Sequence, residues 1–226
     1  MTEKTMWRVP RQPREDYTDA SREMQAFWGE PDAWENGSAT NVIQVMANHP
    51  DLGKAYNAWG WHLLVTNTVP ERHRELIILR VGWIKQSEYE WHNHVGYALN
   101  LGMSLDEIAA VKDGAAGAWP WSDADRAVLK GVDELTETND LSDETWAQLT
   151  AFYDRKQMMD YLHTIGHYVM IGWAINAMRM PLEAQVDQIG WDLKTASGKT
   201  PQPTQKPGES EDWADNRGYD MEKSED

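Results

Sequence analysis

The stretch from Pro70 to Gly102 constrains this chain more than any other. It opens on a charged turn, Glu71-Arg72-His73-Arg74-Glu75, passes through a run apolar on nearly every side, Leu76 to Ile84, and reaches Ser87-Glu88-Tyr89-Glu90-Trp91-His92-Asn93-His94. Pro70 suits a first helical position, where its missing N–H removes no helical hydrogen bond. The apolar run lacks the alternation of a half-exposed strand. The pattern predicts a largely buried helix over 70–84, with a second helix beginning near Ser87.

In that second helix Ser87, Glu90 and His94 fall three and four residues apart and share one face, while Trp91, Val95, Ala98 and Leu99 make the neighbouring apolar face. A carboxylate and an imidazole therefore sit side by side against a core. Burial raises a carboxyl pKa and a nearby carboxylate raises that of a histidine, which is how acid and base groups are prepared. A structural role fits the same spacing and is the commoner one: acidic residues favoured at a helix N-terminus, and a histidine satisfied by Glu90.

Charge narrows the partners. A formal net charge of −16 over 226 residues speaks against nucleic acid, which needs clustered Lys and Arg, and against an anionic membrane surface. No window offers the roughly 18 apolar residues of a membrane span, and Met1 to Asp16 lack the apolar core of a signal peptide. These readings lead to the expectation of a soluble, cytoplasmic protein. With no cysteine, disulfides, thiolate metal sites and thiol redox chemistry are excluded. Thirteen Trp and eight Tyr against two Phe suit half-wet surfaces such as pocket walls or subunit contacts.

Along the chain, residues 1–15 carry two prolines and mixed charge and are expected to form a flexible arm. Residues 16–193 are expected to form one helical domain. Its helices are predicted at 16–28, 41–47, 51–65, 70–84, from 87 onward, 104–111, 122–138, 142–153 and 155–178. Ser104 with Glu107 matches a capping box, and Ser122 and Ser142 are helix-start residues. His49-Pro50 is predicted to separate two helices. The last helix shows Met158, Leu162, Ile165, Val169 and Trp173 as its main stripe. His163 and His167, one turn apart, could hold a metal with a carboxylate from elsewhere; two buried, hydrogen-bonded histidines are the commoner outcome. From Lys194 the composition shifts to a polar, acidic tail over 194–226, in which Trp213 and Tyr219 could act as anchors. The chain has no internal repeat, no Gly-rich phosphate loop, no nucleophile elbow and no alternation long enough for a sheet.

The central pair resembles the carboxymuconolactone decarboxylase family, which includes the AhpD-like proteins. The resemblance is carried by Pro70, Arg74-Glu75-Leu76-Ile77-Ile78-Leu79-Arg80, Ser87-Glu88-Tyr89-Glu90-Trp91, His94, Gly102-Met103-Ser104 and Asp106-Glu107-Ile108, then Asp133-Glu134-Leu135 and Ser142 to Trp146. It implies an all-α, AhpD-like multi-helix bundle, a homo-oligomer (trimer or hexamer) with sites between helices near subunit contacts. In the peroxidase branch the second helix carries Cys-x-x-Cys and a histidine fed by a glutamate one helix earlier. Ser87 and Glu90 stand at the cysteine positions, His94 at the histidine and Glu75 at the relay glutamate, so a cysteine peroxidase cannot run here.

What remains can move protons. The resemblance implies a cofactor-free acid–base lyase, decarboxylase-like, acting on a small oxygenated carboxylate, a lactone or an aromatic-derived compound, with Glu75, Glu90 and His94 as catalytic residues and no metal. Arg80, Ser87, Tyr89, Trp91, His163 and His167 are expected to bind the substrate. Arg80 could anchor an anionic group, although a buried ion pair of Arg80 with Glu75 competes with that role. Two alternatives stay open: a metal enzyme using Glu90 and His94 with His163 or His167, and a non-catalytic oligomeric binding protein in which the polar cluster only orders the helix pair.

Overall fold

The structure, a computed structural model, describes residues 7–28, 35, 40–184 and 186–203. Among these residues nine α-helices form and no strand. They are α1 (Asp19–Ala26), α2 (Asn41–Met46), α3 (Pro50–Trp61), α4 (Glu71–Lys85), α5 (Glu88–Asn100), α6 (Leu105–Ala110), α7 (Asp123–Thr138), α8 (Asp143–Thr150) and α9 (Arg155–Met178). None of the described helices is long and apolar enough to cross a membrane.

Helix α4 is the axis of the bundle. Leu76, Ile77, Ile78 and Leu79 occupy four successive directions around it, and every one is fully enclosed. A helix apolar all round needs neighbours on all sides; α5, α7 and α9 supply them. Each of those side chains stabilises the fold by roughly 2 kcal/mol. Pro70 caps α4 from just outside, and Gln86 ends it in the left-handed conformation, with φ of 53°. That sharp stop lets α5 start two residues later and fold back along α4.

The predicted starts hold because they rest on local hydrogen bonds. Ser104, Ser122 and Ser142 each accept the backbone N–H of the residue three positions on, and Asp154 and Gln157 close a reciprocal capping box at α9. His49 departs from helical dihedrals before Pro50, as expected, and its ring accepts the N–H of Leu52. Helix α3 does not run to Val65 as a regular helix: from His62 to Thr66 it widens into a π turn. Helix α8 stops at Thr150 instead of Tyr153. Directly after α6, residues Val111–Ala116 form a 3-10 turn in which Gly114 takes φ of 64°.

One expectation needs correction. Helix α9 is rotated from its predicted stripe: Met158 and Ile165 are buried, but Trp173 is 61% exposed, and the enclosed face is completed by Tyr161, Tyr168, Ile171, Gly172 and Ile175. Gly172 lies on that enclosed face against the start of α5, where a Cβ would make ordinary contact 3.5 Å from the Cβ of Ser87; which face is covered is decided by the neighbouring helices and not by the apolar count along α9. At the other end, the described residues of the 1–15 segment include two that meet the helical domain. Trp7 packs on the core, and the N–H of Arg8 donates to Met178 O at 2.8 Å. The tail boundary at Lys194 falls inside a small ordered turn, in which Ile189 bridges Thr195 and Ala196 N donates to Gln188 O at 2.7 Å. Trp213 and Tyr219 lie outside the described residues.

Candidate functional site

Helices α4 and α5 lie side by side, and their facing turns bring Glu75 and His94 together. His94 Nδ1 stands 2.6 Å from Glu75 Oε2, and because a carboxylate oxygen can only accept, the nitrogen carries the proton. The other ring nitrogen, Nε2, faces Glu90 Oε2 at 3.5 Å, one helical turn back along α5. Glu75, Glu90 and His94 are respectively 1%, 7% and 4% exposed. The imidazole therefore bridges two buried carboxyl groups.

The two carboxyls are driven apart. Burial penalises the Glu75 charge most, yet the charge and hydrogen bond of His94, with those of Arg74, outweigh it and hold Glu75 below the usual carboxylate range. Glu90 has no guanidinium. Burial pushes it up, the opposing pull of His94 is smaller, and the Glu75 carboxylate adds to the rise. One carboxyl is kept ionised and orients the ring, while the other holds a proton more tightly than an ordinary glutamate, the division of labour that acid–base sites use.

Aromatic side chains wall the cluster. Tyr168 from α9 meets the His94 ring edge-on at 5.1 Å, and His167 stands against Tyr168 at 5.2 Å and against Tyr56 at 5.6 Å. The hydroxyls of Tyr56 and Tyr168 are raised well above the ordinary range, first by burial and next by the Glu90 charge. Burial and the His94 charge push the His167 imidazole down to about 4, so it is neutral near pH 7. Its Nδ1 is enclosed without a hydrogen-bond partner.

The other expected residues fall elsewhere. Of the two roles open to Arg80, anchoring an anion or pairing with Glu75, the second falls to Arg74, whose Nε donates to Glu75 Oε1 at 3.2 Å and whose Nη1 donates to Leu64 O at 3.1 Å. Arg80 pairs with Asp133 at 2.6 Å and donates to the carbonyls of Val111 and Lys112. Five residues along a helix is about 140° of rotation, so Arg80 points away from Glu75 and ties the Gly114 turn to α7. Tyr89 donates to Glu183 Oε1 at 2.7 Å and lines a separate groove of about 350 Å³ with Glu88, Asn176 and Trp191. Trp91 is fully enclosed; its indole N–H donates to Gly190 O at 3.1 Å, and it stacks with Trp83 and Trp191. Ser87 is enclosed, its hydroxyl without a partner, where α9 passes at Gly172.

His163 faces outward and bonds Met159 O at 2.7 Å. Among the described residues no three His, Asp or Glu side chains are disposed to hold a metal ion, so the set of Glu90, His94 and His163 or His167 is not assembled. Sequence reasoning passed over Arg74 and Tyr168. Arg74 precedes Glu75, and adjacent helical residues normally diverge. Its long side chain curls back, which no spacing rule reports.

Residues 50–129 match the family model described as the carboxymuconolactone decarboxylase family. No curated protein matches the chain. Among solved structures the chain is similar to an uncharacterized peroxidase-related protein from Silicibacter sp. TM1040, with 16% identity over 81% of this chain and 94% of that one and a TM-score of 0.66. It is also similar to a peroxidase-related protein with an alkylhydroperoxidase AhpD core from Ralstonia eutropha JMP134, with 15% identity, coverage of 87% and 98% and a TM-score of 0.67. The debrominase Bmp8 shares 16% identity over 78% of this chain and 92% of its own, with a TM-score of 0.61. At such identities the likeness is one of fold.

Proposed function

We propose, for a chain whose residues 50–129 belong to the carboxymuconolactone decarboxylase family, a cofactor-free acid–base lyase that works on a small, oxygenated ring compound, with loss of carbon dioxide from a carboxylated lactone as its reaction. The observation that carries this reading is the buried bridge, Glu75 to His94 at 2.6 Å and His94 to Glu90 at 3.5 Å. With no cysteine in the chain, the thiol chemistry of peroxidases has no nucleophile here.

In this mechanism Glu75 fixes the imidazole, and Glu90 with His94 Nε2 holds a proton next to the reacting carbon. Departure of carbon dioxide leaves its bonding electron pair on carbon, delocalised into the adjoining carbonyl, and the proton held between Glu90 and His94 quenches it. Neither nearby guanidinium is left over for the leaving carboxylate: Arg74 is held by Glu75 and Leu64, Arg80 by Asp133. A carboxylate without a counter-charge in a dry site is disposed to disperse that charge as carbon dioxide leaves. The complex of a Bmp8 variant with 2,3,4-tribromopyrrole supports a fold of this kind receiving a small ring.

The test is release of carbon dioxide from 4-carboxymuconolactone by wild type and by Glu90→Gln and His94→Ala. Both variants are expected to lose turnover by at least a hundredfold while keeping helical circular dichroism and assembly size; turnover equal to wild type in both overturns the assignment.

A further inference from the structure

The buried bridge connects through the rings of Tyr168 and His167 to a groove on the other side of α9. Between α3 and α9 a groove of about 280 Å³ is lined by Trp59, Leu162, His163, Gly166, His167 and Met170. That volume is at the small end of ligand sites and suits a single ring. None of its lining residues is Lys, Arg, Asp or Glu. Trp59 stands edge-on to His163 at 5.5 Å, so two flat side chains form its outer wall. His163 donates Nδ1–H to Met159 O at 2.7 Å, which leaves Nε2 of the neutral ring as an acceptor.

The floor of the groove is His167, 7% exposed, with its Nδ1 unpartnered. An enclosed polar nitrogen without a partner costs stability, a cost that a hydrogen-bonding ligand at this ring would remove. His167 also leads inward: its ring touches Tyr168, which touches His94, at centroid distances of 5.2 and 5.1 Å. No other ring in the groove makes that connection.

We propose that this groove seats a small planar ring, stacked on one of Trp59 and His163 and edge-on to the other, with a ring hydroxyl or ring N–H paired to His167. The ligand class is therefore a flat, unsaturated or aromatic ring with a hydrogen-bonding substituent, and His167 is the residue that orients it, one tyrosine ring away from His94. This rests on the acid–base reading for what happens next, but binding itself does not require it.

The experiment uses the full chain with ring-15N-labelled histidine, the His163 and His167 signals being identified by their loss in His163→Gln and His167→Phe. Phenol is titrated as the probe, with cyclohexanol, the puckered ring of the same size, as control. Phenol is expected to shift both signals along one saturation curve, and cyclohexanol to leave them in place. Trp59→Ala, and His167→Phe followed at His163, should each weaken phenol about tenfold, the effect of one lost hydrogen bond or stacking contact. The inference is overturned if phenol moves neither signal, if cyclohexanol binds as tightly, if both variants bind like wild type, or if the signals answer to protein dilution and not to phenol, which would make the groove a contact between copies. Glu90→Gln is expected to bind phenol like wild type. Turnover by that variant would refute the acid–base reading alone and leave the binding result to stand or fall separately.

Discussion

Arg74 and Glu75 are consecutive in sequence and paired in space, the guanidinium Nε donating to Glu75 Oε1 at 3.2 Å while His94 takes the opposite carboxylate oxygen at 2.6 Å. One buried carboxylate thus satisfies two donors from different directions. Replacing it by a neutral amide leaves the enclosed Arg74 guanidinium with only the exposed Glu71 carboxylate, 3.9 Å away, as counter-charge. Glu75→Gln should destabilise the protein by about 3–5 kcal/mol at pH 7. Urea unfolding measures this, and a loss below about 1 kcal/mol would mean that the pair contributes little to the core.

Glu90 has the opposite character, its carboxyl raised chiefly by burial. A group whose folded pKa lies above its unfolded value of about 4.3 contributes stability that is complete below that value and fades as pH rises through the folded one. Glutamine has no proton to lose over the same range. The stability of Glu90→Gln relative to wild type should therefore climb as pH goes from acid to neutral and above, while turnover is lost, the trade-off expected where function keeps a strained group. A difference that stays flat with pH in thermal melts would show that Glu90 is not held in its raised state.

His167 runs the other way again. Its folded value of about 4 lies below the unfolded 6.5, so its contribution is complete above pH about 6.5 and is lost as pH falls toward 4, about 3 kcal/mol at roughly 1.4 kcal/mol per pH unit. His167→Phe lacks this loss. Between pH 6.5 and 4 its unfolding free energy should decline by less than that of wild type by about that amount, as read from denaturation curves at a series of pH values. Parallel declines would place the ring in water.

Gly131 lies inside α7, where an alanine ordinarily gains about 1 kcal/mol. Here a Cβ would stand 2.2 Å from the hydroxyl oxygen of Tyr161, which is fully buried and donates to Val128 O at 2.8 Å. Gly131→Ala should destabilise by about 1–3 kcal/mol. Removing the obstructing oxygen with Tyr161→Phe should make the double variant lose less than the sum of the two single ones. Additive losses in thermal unfolding would mean that the clash is relieved elsewhere.

The readable part of this molecule is the part governed by local rules. Ser104, Ser122, Ser142 and Asp154 start helices because each closes a bond within its own first turn, and Leu76 to Leu79 announce a helix enclosed on all sides. The one-turn spacing of Glu90 and His94 shows in the sequence because residues i and i+4 share a face. What depends on long side chains reaching between elements does not show. Arg80 finds Asp133 on α7 and Arg74 finds Leu64, neither of them predicted by spacing along α4. The exposed Trp173 and buried Tyr168 reflect which face of α9 the neighbouring helices cover, a fact of packing and not of periodicity. His163 and His167 look alike in sequence, yet one donates to its own helix at the surface and the other is enclosed beside Tyr168.

The widened winding at His62–Thr66 has a consequence for how tolerant this chain is of length changes. A π turn is an α-helix with a residue more than it needs, and Leu64, whose carbonyl holds Arg74, sits within it. Deleting His62 or Leu63 would let regular coiling return and carry that oxygen about 100° around the helix axis. Such a shortening, remote from Glu75 in sequence, would deprive Arg74 of its second anchor and loosen the carboxylate on which the orientation of His94 depends.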